Sequence, residues 1–245
     1  MNGQWILLLG ANSDMARAAG RRFAAAGYNV HLASRNVQEL EKESAHLKVA
    51  YGVQTEAVSF DILDWDSHPA FYSGLHPKPQ GVVLACGLLG DQEQAQDEFP
   101  RAREIIDTNF TGAVSVLEVI AADFARRRSG FIVGISSVAG DRGRQSNYIY
   151  GSAKAGLTAY LSGLRHRLHA AGVHVLTVKP GFAATKMTAG MDLPDKLTAQ
   201  PQEAGEKIFK AVQKRKNTIY IRPIWRVIMF IIIHLPEFIF KRTRL

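Results

Sequence analysis

Two rhythms of apolar and polar positions alternate along the chain. Short, nearly continuous apolar runs recur at residues 5–9, 28–33, 56–62, 81–84, 131–135, 173–178 and 218–221. Runs of that length, bounded by turn residues, read as buried strands. Between them, apolar residues return every three or four positions at 15–26, 37–51, 101–128, from just before Tyr150 to about Ala171, and at 203–216. That spacing predicts amphipathic helices. Strands alternating with helices predict an α/β domain over residues 1–221, a Rossmann-type, doubly wound parallel sheet. The long helix at 101–128 is expected to bend near Thr108-Asn109-Phe110.

Length and composition fit one such domain. The chain has 245 residues, 47% of them hydrophobic, with no Pro/Gly/Ser-rich linker. Cys86 is the only cysteine, which excludes an internal disulfide and fits a reducing compartment. The start, Met1 to Trp5, lacks a positive n-region, and the apolar run is read as a strand rather than a signal peptide.

The ends of the strands carry the chemistry. After the run 131–135 comes Ser136-Ser137, and Tyr150 lies in the first turn of the next helix. Lys154 is four residues further and shares its helix face. A free phenol has a pKa near ~10, and a neighbouring ammonium would lower it. Ser137 is placed to polarise a carbonyl while Tyr150 gives it a proton. After the first strand, the turn with Gly10, Asn12, Ser13, Asp14 and Met15 leads into a helix N-terminus. Amide donors and the positive end of the helix dipole make that turn a site for a dinucleotide pyrophosphate. At the end of the second strand no acid is present to hold a ribose hydroxyl. Ser34 and Arg35 stand there instead and favour the 2′-phosphate of NADP(H), with NAD(H) as the alternative. His166 and His169 lie three apart with no third ligand in view, so no metal site is expected.

Tyr150-x-x-x-Lys154, with Ser137 thirteen residues before the tyrosine, resembles the active site of the short-chain dehydrogenase/reductase superfamily. The resemblance covers residues 4 to about 221. It implies that Asp61 contacts adenine and that Gly87 closes the turn after the fourth strand. It implies that Asn109, forty-one residues before Tyr150, bends its helix and anchors a proton relay through Lys154. It also implies that Pro180, Gly181 and Thr185 hold the nicotinamide, and that Lys154 binds the ribose. Two of the three usual loop glycines are replaced, by Asp14 and Ala16. The segment 187–201 takes the place of the substrate cover and is short. Homo-oligomers are the superfamily's habit.

Residues beyond 221 add a tail. From Lys207 to Leu245 there are ten Lys/Arg and one acid, Glu237, whereas the rest of the chain is close to neutral. The apolar core of the tail, 227–233, is far shorter than the about 20 residues a spanning helix needs. The tail 222–245 is therefore expected to lie in a membrane interface, as one helix before Pro236 and a short one after it. Trp225, Arg226, Lys241, Arg242 and Arg244 would sit at head-group level. Contact with a partner subunit, or with the domain's own core, is the alternative. No nucleic-acid-binding pattern accompanies the basic surplus. A cytoplasmic protein attached peripherally to the inner membrane face is expected.

The stretches 60–64, 66–69 and 87–91, the Tyr150 region and the Trp/Ile/Phe tail look like the decaprenylphosphoryl-2-keto-pentose reductase family. That resemblance implies reduction of a lipid-linked keto-sugar during synthesis of an arabinosyl donor. Two other readings stay open: a reductase of another lipid or small-molecule ketone, and a non-catalytic NADP-binding membrane adaptor motivated by the altered glycine loop.

Overall fold

The computed structural model describes residues 3–243. Met1 and Asn2 of the predicted domain, and Arg244 of the predicted head-group set, lie outside the described residues.

Seven strands form one parallel sheet: β1 Trp5–Leu9, β2 Asn29–Ser34, β3 Thr55–Ser59, β4 Gly81–Leu84, β5 Phe131–Ile135, β6 His174–Lys179 and β7 Thr218–Tyr220. Their order across the sheet is β3-β2-β1-β4-β5-β6-β7. The helices are α1 Asp14–Ala24, α2 Val37–Tyr51, α3 His68–Gly74, α4 Gln92–Asp97, α5 Phe99–Ile106, α6 Gly112–Arg127, α7 Tyr148–Leu168, α8 Pro201–Gln213, α9 Ile224–His234 and α10 Glu237–Phe240.

Strand β1 pairs with β2 on one side and β4 on the other. The chain direction of winding reverses between them, so a crevice opens at the carboxyl ends of β1 and β4. Side chains alternate along β1. Ile6 and Leu8 join a core with Phe23, Leu40 and Ile208, whereas Leu7 and Leu9 join one with Leu117, Phe124 and Leu161. Both faces of the strand are covered, which explains its uninterrupted apolar run. Close packing of α1 on β1 relies on Gly20, where a Cβ would lie 2.6 Å from Leu8 Cδ1.

Several boundaries differ from expectation. Strand β3 stops at Ser59, because the chain turns at Asp61, whose carboxylate accepts the Leu63 amide at 3.0 Å. Helices α3 and α4 were not expected; both are too short to display a period. The expected bend in the long helix is a π-helical segment, Asp107–Thr111, between α5 and α6. The stretch Phe99–Arg127 is long and apolar enough to cross a membrane by length and composition, but Ile105, Val116, Leu117, Ile120 and Phe124 are buried in the domain's cores.

The tail forms the expected pair of helices, α9 and α10. Its inner face lies on its own domain: Trp225, Met229 and Ile232 cluster with Val138 and partly buried Phe182 and Leu197. Trp225 is therefore not at a head-group level but buried, its indole donating to the Leu197 carbonyl at 3.0 Å. Arg142 locks the arrangement. Its guanidinium donates to the carbonyls of Ile232 at 2.6 Å and Leu235 at 2.7 Å, and pairs with Glu237 at 2.9 Å.

Candidate active site

The crevice at the carboxyl edge holds two connected cavities. The larger, about 320 Å³, is lined by Gly10, Asn12, Ser13, Asp14, Met15, Ser34 and Arg35, with Phe60, Ile62 and Leu63 at its far end. The second, about 190 Å³, is lined by Ser137, Tyr150, Lys154, Pro180, Gly181 and Thr185. Ser13, Met15, Cys86, Gly87, Thr185 and Met187 border both. The sequence-predicted residues thus gather along one continuous cleft, apart from Asp61 and Asn109. Asp61 does not line it, being engaged in its own turn.

The larger cavity fits a dinucleotide. Gly10 has φ +78°, and a Cβ there would lie 2.7 Å from the Cys86 amide nitrogen, so only glycine lets β1 turn beneath the cleft. The N-cap Ser13 makes no side-chain cap, which leaves the first amides of α1 free to meet an anion. Asp14, at a place usually held by glycine, turns its carboxylate to the backbone amide of Lys186 at 2.7 Å. Its charge is thereby occupied at the rim. Asn12 donates to the Ser34 hydroxyl at 2.7 Å and fixes it beside the exposed Arg35.

Asn109 supports the site from behind. Buried in the π-helical segment, it donates to the carbonyls of Leu88 at 2.6 Å and Ile105 at 2.8 Å. That clasp holds the Gly87-Leu88 turn against Lys154. A Cβ on Gly87 would lie 3.1 Å from Asn109 Oδ1 and 3.4 Å from Lys154 Nζ. Cys86 carries no reactive thiolate, since burial pushes its thiol up to about 12.

Ser137, at the end of β5, accepts the Ala139 amide at 3.1 Å and leaves its hydroxyl proton to face Tyr150. Gly140 presses the following turn onto α7, where a Cβ would meet the Ala155 nitrogen at 2.6 Å. Lys154 is buried and donates to the Ile135 carbonyl at 3.1 Å. Its Nζ stands 5.6 Å from the centre of the Tyr150 ring.

The electrostatics differ from the expected acidified phenol. Burial pushes Tyr150 up to about 12, opposed by its hydrogen bond with Ser137. Burial also brings Lys154 down to about 8. Both groups share a poorly solvated wall, and desolvation penalises whichever of them is charged. Tyr150 faces the cavity, so a substrate reaches its hydroxyl even though the surrounding protein excludes much of the water. The protein without cofactor therefore presents a firmly protonated phenol, the form an acid catalyst needs.

Residues that the sequence did not assign to the site complete the second cavity. Leu89, Phe182, Met191 and the tail's Trp225 give it apolar walls, and Arg144 and Asn147 supply polar groups. Trp225 could only have been found by knowing that the tail folds back.

Comparison with known proteins agrees with this geometry. Residues 4–195 match the family model of the short chain dehydrogenases. An uncharacterised oxidoreductase of Mycobacterium tuberculosis is 35% identical over 240 residues, covering 97% of this chain and 96% of the relative. The serine 3-dehydrogenase of Rhizobium radiobacter is 31% identical over 214 residues, covering 84% of this chain and 80% of that enzyme. A solved short-chain dehydrogenase from Sphingobium yanoikuyae, in complex with NADPH, shares the fold with a TM-score of 0.81 at 24% identity, covering 89% of this chain and 87% of its own. With Ser137, Tyr150 and Lys154 lining one cavity beside a nucleotide cleft, the chain belongs to the short chain dehydrogenase family and is an NAD(P)-dependent oxidoreductase.

Proposed function

We propose that this protein reduces a ketone to a secondary alcohol with NADPH, and that the ketone is the 2-keto sugar of a polyprenyl-phosphoryl pentose. The observation that carries this reading is the placement of Ser137 and Tyr150 together in the cavity that adjoins the nucleotide cleft, where both hydroxyls can meet one carbonyl oxygen. A dihydronicotinamide held at Pro180, Gly181 and Thr185 would supply the hydride. Ser137 donates a hydrogen bond to the carbonyl oxygen, and Tyr150 delivers the proton to the alkoxide. Lys154 holds a positive charge near that oxygen, and Asn109 fixes the backbone turn against which Lys154 packs. Arg35, exposed at the rim beside a fixed Ser34, is the ligand for the 2′-phosphate.

Support for a lipid-linked substrate comes from the tail. Helix α9 buries Trp225 in the cavity wall, and its outer face exposes Val227, Phe230 and Ile231. An exposed apolar face on the helix that also supplies Trp225 to the cavity wall suits an enzyme attached to the membrane surface that acts on a polyprenyl substrate. In this reading the protein is a cytoplasmic, peripherally bound homo-oligomer.

A second reading rests on the serine 3-dehydrogenase relative: oxidation or reduction of a small polar substrate at the same site. Purified enzyme supplied with NADPH and keto-pentosyl polyprenyl phosphate, a 3-ketoacyl thioester, or serine with NADP⁺ separates these. Turnover of the keto-sugar, abolished by Tyr150→Phe, is the expected result. Turnover confined to serine or to the thioester rejects the lipid-linked substrate, and unimpaired reduction by Tyr150→Phe rejects the catalytic assignment.

A further inference from the structure

The loop between Ser137 and α7 carries three charged side chains with different fates. Asp141 is committed twice: it pairs with Lys179 and accepts the Tyr220 hydroxyl at 3.0 Å. Arg142 is spent on the tail, where it holds the end of α9 and Glu237. Arg144 points into the cavity that contains Ser137 and Tyr150. Among the described residues it makes no direct ion pair, although Asp141 acts on it electrostatically, and its Nε is buried without a hydrogen-bond partner. Asn147, at the N-cap of α7, shows the same thing with opposite polarity. It makes no side-chain cap, and its Oδ1 is buried, unpartnered and in the same cavity.

A buried guanidinium N–H and a buried carbonyl oxygen both left unmet are costly, and such groups are normally satisfied. The same wall carries the hydroxyls of Ser137, Thr185 and Thr188, but neither the Arg144 Nε nor the Asn147 Oδ1 has a hydrogen bond to them. A ligand that fills the cavity can supply the guanidinium and the amide with bonds that the protein leaves unmade. A guanidinium fork matches an oxyanion, and an amide oxygen takes a hydroxyl donor. Arg144 lines the end of the continuous cleft that holds Ser137 and Tyr150 and not the part lined by Arg35, so the anion it receives is not the phosphate held at Arg35.

We infer that Arg144 and Asn147 form an anion-plus-hydroxyl subsite, so that the substrate carries a phosphoryl or carboxylate group and a hydroxyl close to the reacting carbon. This rests on the reductase reading for its location, but its recognition chemistry is independent of turnover. It excludes unfunctionalised ketones and sterol-like substrates as the best fit.

The test is equilibrium binding to enzyme saturated with NADP⁺, followed by ligand-observed NMR, with ribose 5-phosphate, ribonate and ribose as probes. The saturating nucleotide keeps the probes out of its own cleft. Wild type is expected to bind one of the two anions at least about tenfold more tightly than ribose, and which one it prefers identifies the anion. Arg144→Gln is expected to erase that preference, and Arg144→Lys to restore part of it, while NADP⁺ affinity stays within about twofold for both. Thermal melting establishes that each variant is folded. Asn147→Ala is expected to weaken all three probes alike, because each keeps its hydroxyls. The subsite is rejected if wild type does not discriminate the anions from ribose, or if Arg144→Gln discriminates as wild type does. Loss of discrimination in Arg144→Gln together with intact reduction by Tyr150→Phe would leave the subsite standing and remove the catalytic reading. The reverse pair of results would do the opposite.

Discussion

Trp225 of the tail lies flat against Gly181, so close that a Cβ on the glycine would fall 1.9 Å from the indole Cε2. Gly181 belongs to the turn after β6 that was expected to hold the nicotinamide, and Trp225 walls the adjoining cavity. The tail is thus a structural part of the active site. Its removal would open that site, whatever else it does.

The first consequence concerns that contact. Gly181→Ala should displace the indole and destabilise the fold by about 1–3 kcal/mol, the usual cost of overpacking. Trp225→Ala alone should also destabilise, by emptying a buried volume. Combined, the two should cost less than their sum, because the smaller side chain removes the clash. Urea denaturation of the four proteins measures this. Strict additivity would mean that the two residues do not touch in solution.

Lys154 gives a prediction whose sign depends on pH. Burial brings its pKa down from 10.5 to about 8, so below that value the folded protein holds an ammonium it has desolvated. Between about 8 and 10.5 the unfolded chain binds more protons than the folded one, so stability rises with pH across that window. Lys154→Met, which removes the buried charge, should therefore stabilise the cofactor-free protein at pH 7, by about 1–3 kcal/mol. The advantage should fade towards pH 10.5, where lysine is neutral in both states. The same variant should lose nearly all reductase activity, and wild-type kcat/KM should decline as pH rises through about 8. Melting temperatures taken across pH for both proteins test the first part. A variant no more stable than wild type at neutrality would contradict the burial argument.

The cofactor preference hangs on Arg35. Ser34 is held by Asn12 and the Asn36 amide, so its geometry is fixed and the exposed guanidinium is the adjustable partner. Arg35→Ala should weaken NADPH by about tenfold or more and leave NADH within about twofold, since only the former carries the extra phosphate. Fluorescence titration with the two nucleotides measures this, and equal loss of both would reject the 2′-phosphate assignment.

Much of this architecture was legible in the residues because parallel strands buried on both faces need unbroken apolar runs, as at β1, β4 and β5. Helix α2 was equally plain, whereas the bend at Asn109 rested on the family resemblance, and its physical form, a buried amide donating to the Leu88 and Ile105 carbonyls, is seen only in the structure. What escaped depended on distant contacts. Helices α3 and α4 are shorter than two periods of their own pattern. Trp225 reads as interfacial until the chain is seen to turn it onto Gly181. Lys154 stands 5.6 Å from the centre of the Tyr150 ring, but burial rather than the ammonium governs the phenol in this structure, because spacing along a helix says nothing about how much water the rest of the fold removes. Arg144 was invisible for a similar reason: a cation stands out only once Asp141 and Arg142 are seen to be engaged elsewhere.

The attachment of the tail to a membrane is the prediction on which the lipid-linked substrate leans most. Deleting everything after Ile221 would not test it, since Trp225 and the partners of Arg142 would go too, and a collapsed site would be mistaken for a lost anchor. The outer face of α9 offers a cleaner experiment. Phe230 and Ile231 are 64% and 57% exposed, whereas Met229 and Ile232 hold the helix to the domain. Phe230→Glu with Ile231→Glu places two carboxylates on the face that would enter the acyl boundary and leaves the inner face unchanged. Each apolar side chain buried in the interface contributes about 1.5–3 kcal/mol, so losing two should lower partitioning by at least about a hundredfold. Arg226, Lys241 and Arg242 flank the apolar stretch, so the wild type should prefer vesicles rich in anionic lipid and lose affinity as salt rises. Sedimentation with phosphatidylglycerol vesicles reads both effects, and reduction of a water-soluble keto-sugar phosphate should be unaffected by the double substitution. If the doubly charged variant sediments with vesicles as wild type does, the outer face is not the anchor. If neither protein sediments, the apolar face is covered by something other than lipid, and a second copy of the chain becomes the occupant to examine by analytical ultracentrifugation.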